Sequence, residues 1–147
     1  VDLDLKTDRI HDVVRIVEKT DMQEYVLFFD SDFNVLSQIR KMDSDFMIMP
    51  RVHNANEADS AVLLFDPPVV HIDFDCYTKE TVDIIRGSMA RAWINALGEP
   101  DEEIRSGKIK KALKRLLQKG ASIVQTDEPA LLVPALRKLA TAELAFD

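Results

Sequence analysis

The chain has 147 residues, 46% hydrophobic and 31% charged, which is the size and chemistry of one globular domain rather than of a disordered segment. Its net charge of −7, from 26 acidic and 19 basic side chains without a basic stripe, excludes nucleic acid as an expected partner. No apolar run approaches the ~20 residues that span a bilayer, and the single cysteine, Cys76, rules out an internal disulfide framework. Four widely separated glycines leave no Walker loop and no GxGxxG fingerprint.

The sequence starts at Val1, without a methionine or signal peptide and directly on a strand pattern, which reads as the middle of a longer chain. Val1 to Lys6 alternates apolar and polar residues with period two, as a half-buried strand does. Ile10, Val13, Val14 and Val17 then fall at helical spacing. Tyr25 to Phe29 is a short apolar run stopped by Asp30-Ser31-Asp32, and a short helix through Val35, Leu36 and Ile39 follows. Phe46 to Val52 reads as a strand with Pro50 marking its end. Ala55 to Leu64 is a helix with Asn54 or Asn56 as its N-cap.

After Pro67-Pro68, Val69 to Phe74 alternates again, and Thr78 to Met89 gives helical spacing through Val82, Ile85 and Met89. A strand over Ala90 to Ala96 carries the only tryptophan, Trp93, and Leu97 to Asp101 reads as a loop. Lys108 to Lys119 is a basic amphipathic helix with Gly120 as its C-cap and a solvated outer face. Ser122 to Thr126 is the last strand, and Asp127-Glu128-Pro129 opens a final helix that Pro134 should kink or restart. Six β-then-α units without a linker make a single domain over residues 1–147.

Strict β/α alternation implies a parallel sheet covered by helices, either an open doubly wound sheet or a (β/α) barrel. Several strands place polar groups on one face in their terminal half: Asp2, Asp4 and Lys6; His71, Asp73 and Asp75; Trp93 and Asn95. Central strands of an open sheet meet helices on both faces and should be almost continuously apolar, whereas a barrel accepts polar side chains at its inner rim. The expected fold is therefore a partial TIM-type barrel. A complete one runs to ~250 residues, so six units fall short by about two.

Residues at strand ends converge on one face, which makes Asp4, Lys6, Asp30, Asp32, Arg51, Asp73, Asp75, Trp93 and Asp127 the candidates for chemistry. Carboxylates near one rim suit a hard divalent cation, and a lysine and an arginine beside them suit a phosphate. An aspartate at a strand end is equally ordinary loop or N-cap chemistry. Asp4 and Lys6 share a strand face and need a polar environment or each other. His71 shares a face with Asp73 and is either a hydrogen-bonded structural histidine or a barrel-interior group; with Arg51 these are the candidate rim residues. His11 and His53 are read as having no metal-ligand partner at i+2 or i+4. Cys76 has no basic neighbour to activate it. Trp93 either walls a ligand site or fills the barrel.

In their order along the chain, Val1-Asp2-Leu3-Asp4-Leu5-Lys6, Phe28-Phe29-Asp30, Arg91-Ala92-Trp93-Ile94-Asn95 and Ile123 to Pro129 resemble the later strands of the glycerophosphodiester phosphodiesterase family. That family has a Glu-x-Lys strand, a Ser-Phe-Asp strand, a Trp-Thr-Val-Asn strand and a closing Thr-Asp-x-Pro turn. The resemblance runs over essentially the whole chain and implies strands three to eight of its TIM-type barrel. It implies that Asp4 stands at the family's metal-ligating glutamate, one methylene shorter, that Lys6 lies near the phosphate, and that Trp93 lines the substrate site. The motif's terminal asparagine falls at Ala96, with Asn95 one position earlier, and Thr126, Asp127 and Pro129 match the structural closing turn.

By the same resemblance the intact protein is a metal-dependent (Ca²⁺ or Mg²⁺) hydrolase of lipid-derived small-molecule phosphodiesters, giving sn-glycerol 3-phosphate and an alcohol. The family's two acid/base histidines and its other metal ligands lie in strands one and two, so this chain alone is expected to be inactive. Exposed strand edges invite a homo-oligomer or complementation by the N-terminal segment. Relatives are often exported, so a bacterial periplasm or cell envelope is the expected location. Two alternatives are a haloacid dehalogenase-like phosphatase, suggested by Asp30-Ser31-Asp32 after an apolar strand, and a non-catalytic barrel-like binding module. The first expects a threonine where Asn34 stands and a later Asp-Asp pair, which is absent.

Overall fold

Six parallel strands alternate with helices through residues 1–143, which the computed structural model describes; residues 144–147 of the expected domain lie outside the described residues. The strands are β1 (Asp2–Asp4), β2 (Leu27–Asp30), β3 (Met47–Val52), β4 (Val69–Ile72), β5 (Arg91–Asn95) and β6 (Ile123–Gln125). The helices are α1 (Ile10–Lys19), α2 (Phe33–Met42), α3 (Ala55–Phe65), α4 (Lys79–Gly87), α5 (Glu99–Arg105), α6 (Ile109–Leu117) and α7 (Pro129–Glu143), with 3-10 turns at Gln23–Tyr25 and Phe74–Cys76.

The strand order is β1-β2-β3-β4-β5-β6, and every neighbouring pair is parallel. A doubly wound sheet reverses direction once, which sends helices to both faces. Right-handed crossovers that always step the same way keep all helices on one face, and the sheet curls around the other. The fold is thus six units of a TIM-type (β/α) barrel.

Alternation along each strand sorts the residues. Outward go Phe28, Ile48, Val52, Val70, Ile72, Ala92 and Ile94, each fully buried under the helices. The helices meet them with apolar stripes such as Ile10, Val14 and Val17 on α1 and Val82 and Ile85 on α4. Burying one such side chain contributes ~1.5–3 kcal/mol, which is what bends the helices onto the sheet. Three helices begin on side-chain caps: Asp32, Asn54 and Thr78 accept the backbone N–H of Asn34, Glu57 and Thr81 respectively. Tyr77, 1% exposed, donates its hydroxyl to Leu116 O at 2.7 Å and accepts the Ala121 N–H at 3.1 Å, tying the segment after β4 to α6 and the approach to β6.

Several local expectations are corrected. Pro50 does not end its strand: pairing with β2 runs through Pro50 and pairing with β4 takes over at Arg51 and Val52, so the missing N–H falls at the handover. Glu99 to Asp101 is not loop but the start of α5, whose first turn holds Pro100 and three acidic residues, as the helix N-terminus favours. Nor is the basic helix α6 wholly solvated on its polar side. Lys111 and Arg115 reach the buried Glu103 of α5 at 2.7 and 3.1 Å, and Arg115 also reaches Glu99. Gly120 is not the C-cap of α6, which is Gln118; it lies two residues further on at φ +98°, where a Cβ would stand 3.0 Å from Arg86 Nη1. Helix α7 runs on through Pro134 as one helix.

Candidate functional site

The inward side chains meet in a cavity of about 230 Å³ near the carboxyl ends of the strands. Its lining takes Asp2 and Asp4 from β1, Phe29 from β2, Met49 and Arg51 from β3, His71 from β4, Trp93 and Asn95 from β5, and Gln125 from β6. The register places Arg51, His71, Trp93 and Ile123 side by side in one inward row. Four expected site residues, Asp4, Arg51, His71 and Trp93, therefore share one cavity although up to 89 positions separate them in sequence.

The remaining two are joined to it indirectly. Lys6 lies past the end of β1 and is largely exposed, but its Nζ donates to Asp4 Oδ1 at 2.6 Å, so the two charges do satisfy each other. An exposed pair of this kind contributes little to stability. Asp73, just past β4, accepts both Nε (2.8 Å) and Nη2 (2.9 Å) of Arg51. That bidentate pair fixes the guanidinium at the rim.

His71 is an interior group, 3% exposed, with its ring edge-on to Phe29 at 5.2 Å. The hydrogen-bonded structural role is only partly met, because Nδ1 has no hydrogen-bond partner and lies 3.8 Å from Asp73 Oδ1. Burial, opposed by Asn95 and Asp73, pushes its pKa below the ordinary histidine value. With the folded-state value below the unfolded one, the unfolded chain binds more protons between the two, so stability is lost as pH falls below the unfolded ~6.5. Unfolding free energy from urea titrations should carry an excess slope of up to about 1.4 kcal/mol per pH unit in that window, absent in His71→Gln. Equal slopes in both proteins would refute the assignment.

Other candidates are spent on local structure. Asp30 accepts the Asp32 N–H at 2.9 Å and Asp32 caps α2, so the Asp30-Ser31-Asp32 run that suggested a phosphatase nucleophile is turn and cap chemistry. Asp75 and Asp127 are exposed and do not line the cavity. Cys76 has its thiol pushed up by burial and by Asp73, Asp75 and Glu57, which suits an unreactive thiol.

Some of the geometry was not anticipated. His53 does have an i+4 partner: its backbone N–H and ring Nδ1 lie 2.8 and 2.9 Å from Glu57 Oε2, and its Nε2 is 3.6 Å from Asp73 Oδ2. The His-x-x-x-Glu spacing was visible and marks a helix start. Asn95 faces inward and accepts the Trp93 Nε1–H at 3.2 Å, whereas Ala96 is fully buried. Gln125 was missed, and the period-two pattern of its strand is too short to flag it.

A divalent cation needs more than these residues present. Asp2 and Asp4 stand together at the β1 wall, where burial first and Asp4 second raise the pKa of Asp2. Among the described residues no group of three or more His, Cys, Asp or Glu is placed to hold a metal ion. Hard divalent cations take ~6–8 oxygen ligands, so two carboxylates make a fragment of a site and no step is derived through a cation. No helix among the described residues is long and apolar enough to cross a membrane.

No protein-family model matches the chain, and no curated protein matches it in sequence. Its fold matches several solved structures, among them three assigned as phosphodiesterases. The first, assigned as a glycerophosphodiester phosphodiesterase from Galdieria sulphuraria, has a TM-score of 0.73 at 18% identity over 92% of this chain and 56% of its own. The second, assigned as a glycerophosphoryl diester phosphodiesterase from Silicibacter pomeroyi, gives 0.71 at 16% identity over 94% and 50%. The third, a glycerophosphoryl diester phosphodiesterase from Parabacteroides distasonis, gives 0.76 at 15% identity over 94% and 50%. The chain spans about half the length of these proteins and shares their fold over that half.

Proposed function

We propose that the chain forms strands three to eight of a glycerophosphodiester phosphodiesterase barrel, whose intact form hydrolyses glycerophosphodiesters to sn-glycerol 3-phosphate and an alcohol. The observation that carries this reading is the cavity at the strand ends. Residues at the family's motif positions, Asp4 and Trp93, line it within a fold shared with three such proteins. In this reading Lys6 and Arg51 supply positive charge for phosphoryl oxygens, where it counts most as charge develops during hydrolysis. Trp93 walls the substrate and keeps water from one side of it. A bound Ca²⁺ or Mg²⁺ would take Asp4 as one ligand and the rest from residues outside this set.

General acid and base groups are needed at the attacking water and at the leaving alcohol. No exposed histidine of this chain lines the cavity, and His71 is buried, so the chain alone is expected to give no turnover. The test is hydrolysis of glycerophosphocholine with added Ca²⁺ or Mg²⁺, by the chain alone and by the protein with any segment encoded before Val1. Activity only in the second, falling by about 100-fold or more in Asp4→Asn and less in Trp93→Phe, is the expected result. Turnover by the chain alone would overturn the predicted inactivity, and silence in both would overturn the phosphodiesterase reading.

A further inference from the structure

Two surfaces on the helical exterior carry opposite chemistry. The first is a groove between α6 and α7, formed by hollows of about 380 and 470 Å³ that share Lys110, Leu113 and Leu139. Leu113 and Leu117, one turn apart on α6, line it from one side, and Leu131 and Leu139 of α7 line it from the other. Leu131 and Leu139 remain 42% and 45% exposed. Lys110 and Lys114 run beside this lining with the same spacing. The basic residues of α6 thus divide by side. Lys111 and Arg115 reach Glu103 of α5, whereas Lys110 and Lys114 make no ion pair among the described residues. Because α6 and α7 are already neighbours, elements added beside β1 or β6 would not fill the space between them.

The second surface is a ridge at the end of α3. Leu63 and Leu64 are 77% and 63% exposed; among the described residues only Met89 is a more exposed large apolar side chain than Leu63. The exposed charges beside them are acidic: Asp59, one turn before Leu63, and Asp66, which ends the helix. Neither makes an ion pair among the described residues, and α3 holds no basic residue. We propose that the α3 ridge of one copy seats in the α6/α7 groove of a second copy, with Leu63 and Leu64 on the leucine lining and Asp59 and Asp66 toward Lys110 and Lys114. The contact covers apolar side chains on both partners and matches charges that each copy leaves unmatched. Copies of net charge −7 repel one another overall, so their association needs a local basic patch of this kind. Since ridge and groove are different surfaces, the contact is head-to-tail, and every dimer keeps one free ridge and one free groove. With so few apolar anchors the association is weak and depends on concentration.

Sedimentation velocity of the purified chain, from about 10 μM to about 1 mM, should show a mass that rises with concentration. The ridge variant Leu63→Ser/Leu64→Ser and the groove variant Lys110→Glu/Lys114→Glu should each weaken self-association about 10-fold or more. All four positions are exposed, so both variants should keep the wild-type circular dichroism. Mixed together, the two variants should form a dimer that does not grow, because one brings an intact ridge and the other an intact groove. A wild-type chain that stays monomeric throughout overturns the proposal and leaves the groove to another partner. Assembly undiminished in either variant also overturns it and assigns the contact to the open edges of the sheet. So does a mixture that stays monomeric. None of these readouts involves hydrolysis, so the phosphodiesterase reading stands or falls separately.

Discussion

Asp101→Ala is expected to destabilise the chain by about 3–6 kcal/mol, the worth of two hydrogen bonds to a charged acceptor at ~1.5–3 kcal/mol each. Asp101 is fully buried at the start of α5. Its carboxylate accepts the hydroxyl of Thr126 and, at 2.9 Å, the backbone N–H of Asp127. Thr126 Oγ1 in turn accepts the Glu128 N–H, and Glu128 pairs with Arg105 at the far end of α5. One carboxylate thus organises the turn between β6 and α7, directly after the cavity residue Gln125. Chemical denaturation would measure the loss, and a change below about 1 kcal/mol would show that the turn holds itself. Asp101→Asn keeps one acceptor and should fall between the two.

The second large effect separates the two faces of the sheet. Phe28 points outward, is 0% exposed and meets Phe46 edge-on at 5.1 Å. Phe29, the next residue, points into the cavity and is half-buried. Phe28→Ala should cost about 3–5 kcal/mol by emptying a packed site, as large-to-small core substitutions do. Phe29→Ala removes less buried area and should cost about 1–2 kcal/mol. Its main effect is to strip the ring contact from His71. Paired urea titrations decide the point: a larger loss for Phe29→Ala would mean that the inward and outward assignments are reversed.

Both predictions mark where sequence patterns do and do not carry information. The inward and outward faces were legible because strand periodicity is a local property: Phe28 and Phe29, or His71, Asp73 and Asp75, declare their sides within a few residues. The clustering of Asp4, Arg51, His71 and Trp93 was legible for the same reason, given that parallel strands bring their ends to one face. Helix α5 is not legible as a helix because seven residues after a glycine carry too little periodicity, and its stability comes from Glu103 and Asp101 pairing with residues 8 to 26 positions away. Pro50 looks like a strand end in sequence because the tolerance of a strand for proline depends on which neighbour strand needs the N–H at that register.

The sequence by itself determined the β/α alternation and the residues that could carry charge at the strand ends, since these follow from spacing and residue chemistry alone. Tertiary structure decided which of those charges act together. It spent Asp30 and Asp32 on a turn and a cap, paired Lys6 with Asp4, locked Arg51 to Asp73 and left His71 Nδ1 unmet in a cavity with Trp93, Asn95 and Gln125. The physical reason is that a hydrogen bond or ion pair is set by distance and angle to within fractions of an ångström. Sequence spacing fixes such geometry only inside one helical turn or one strand, and the site is built across six strands.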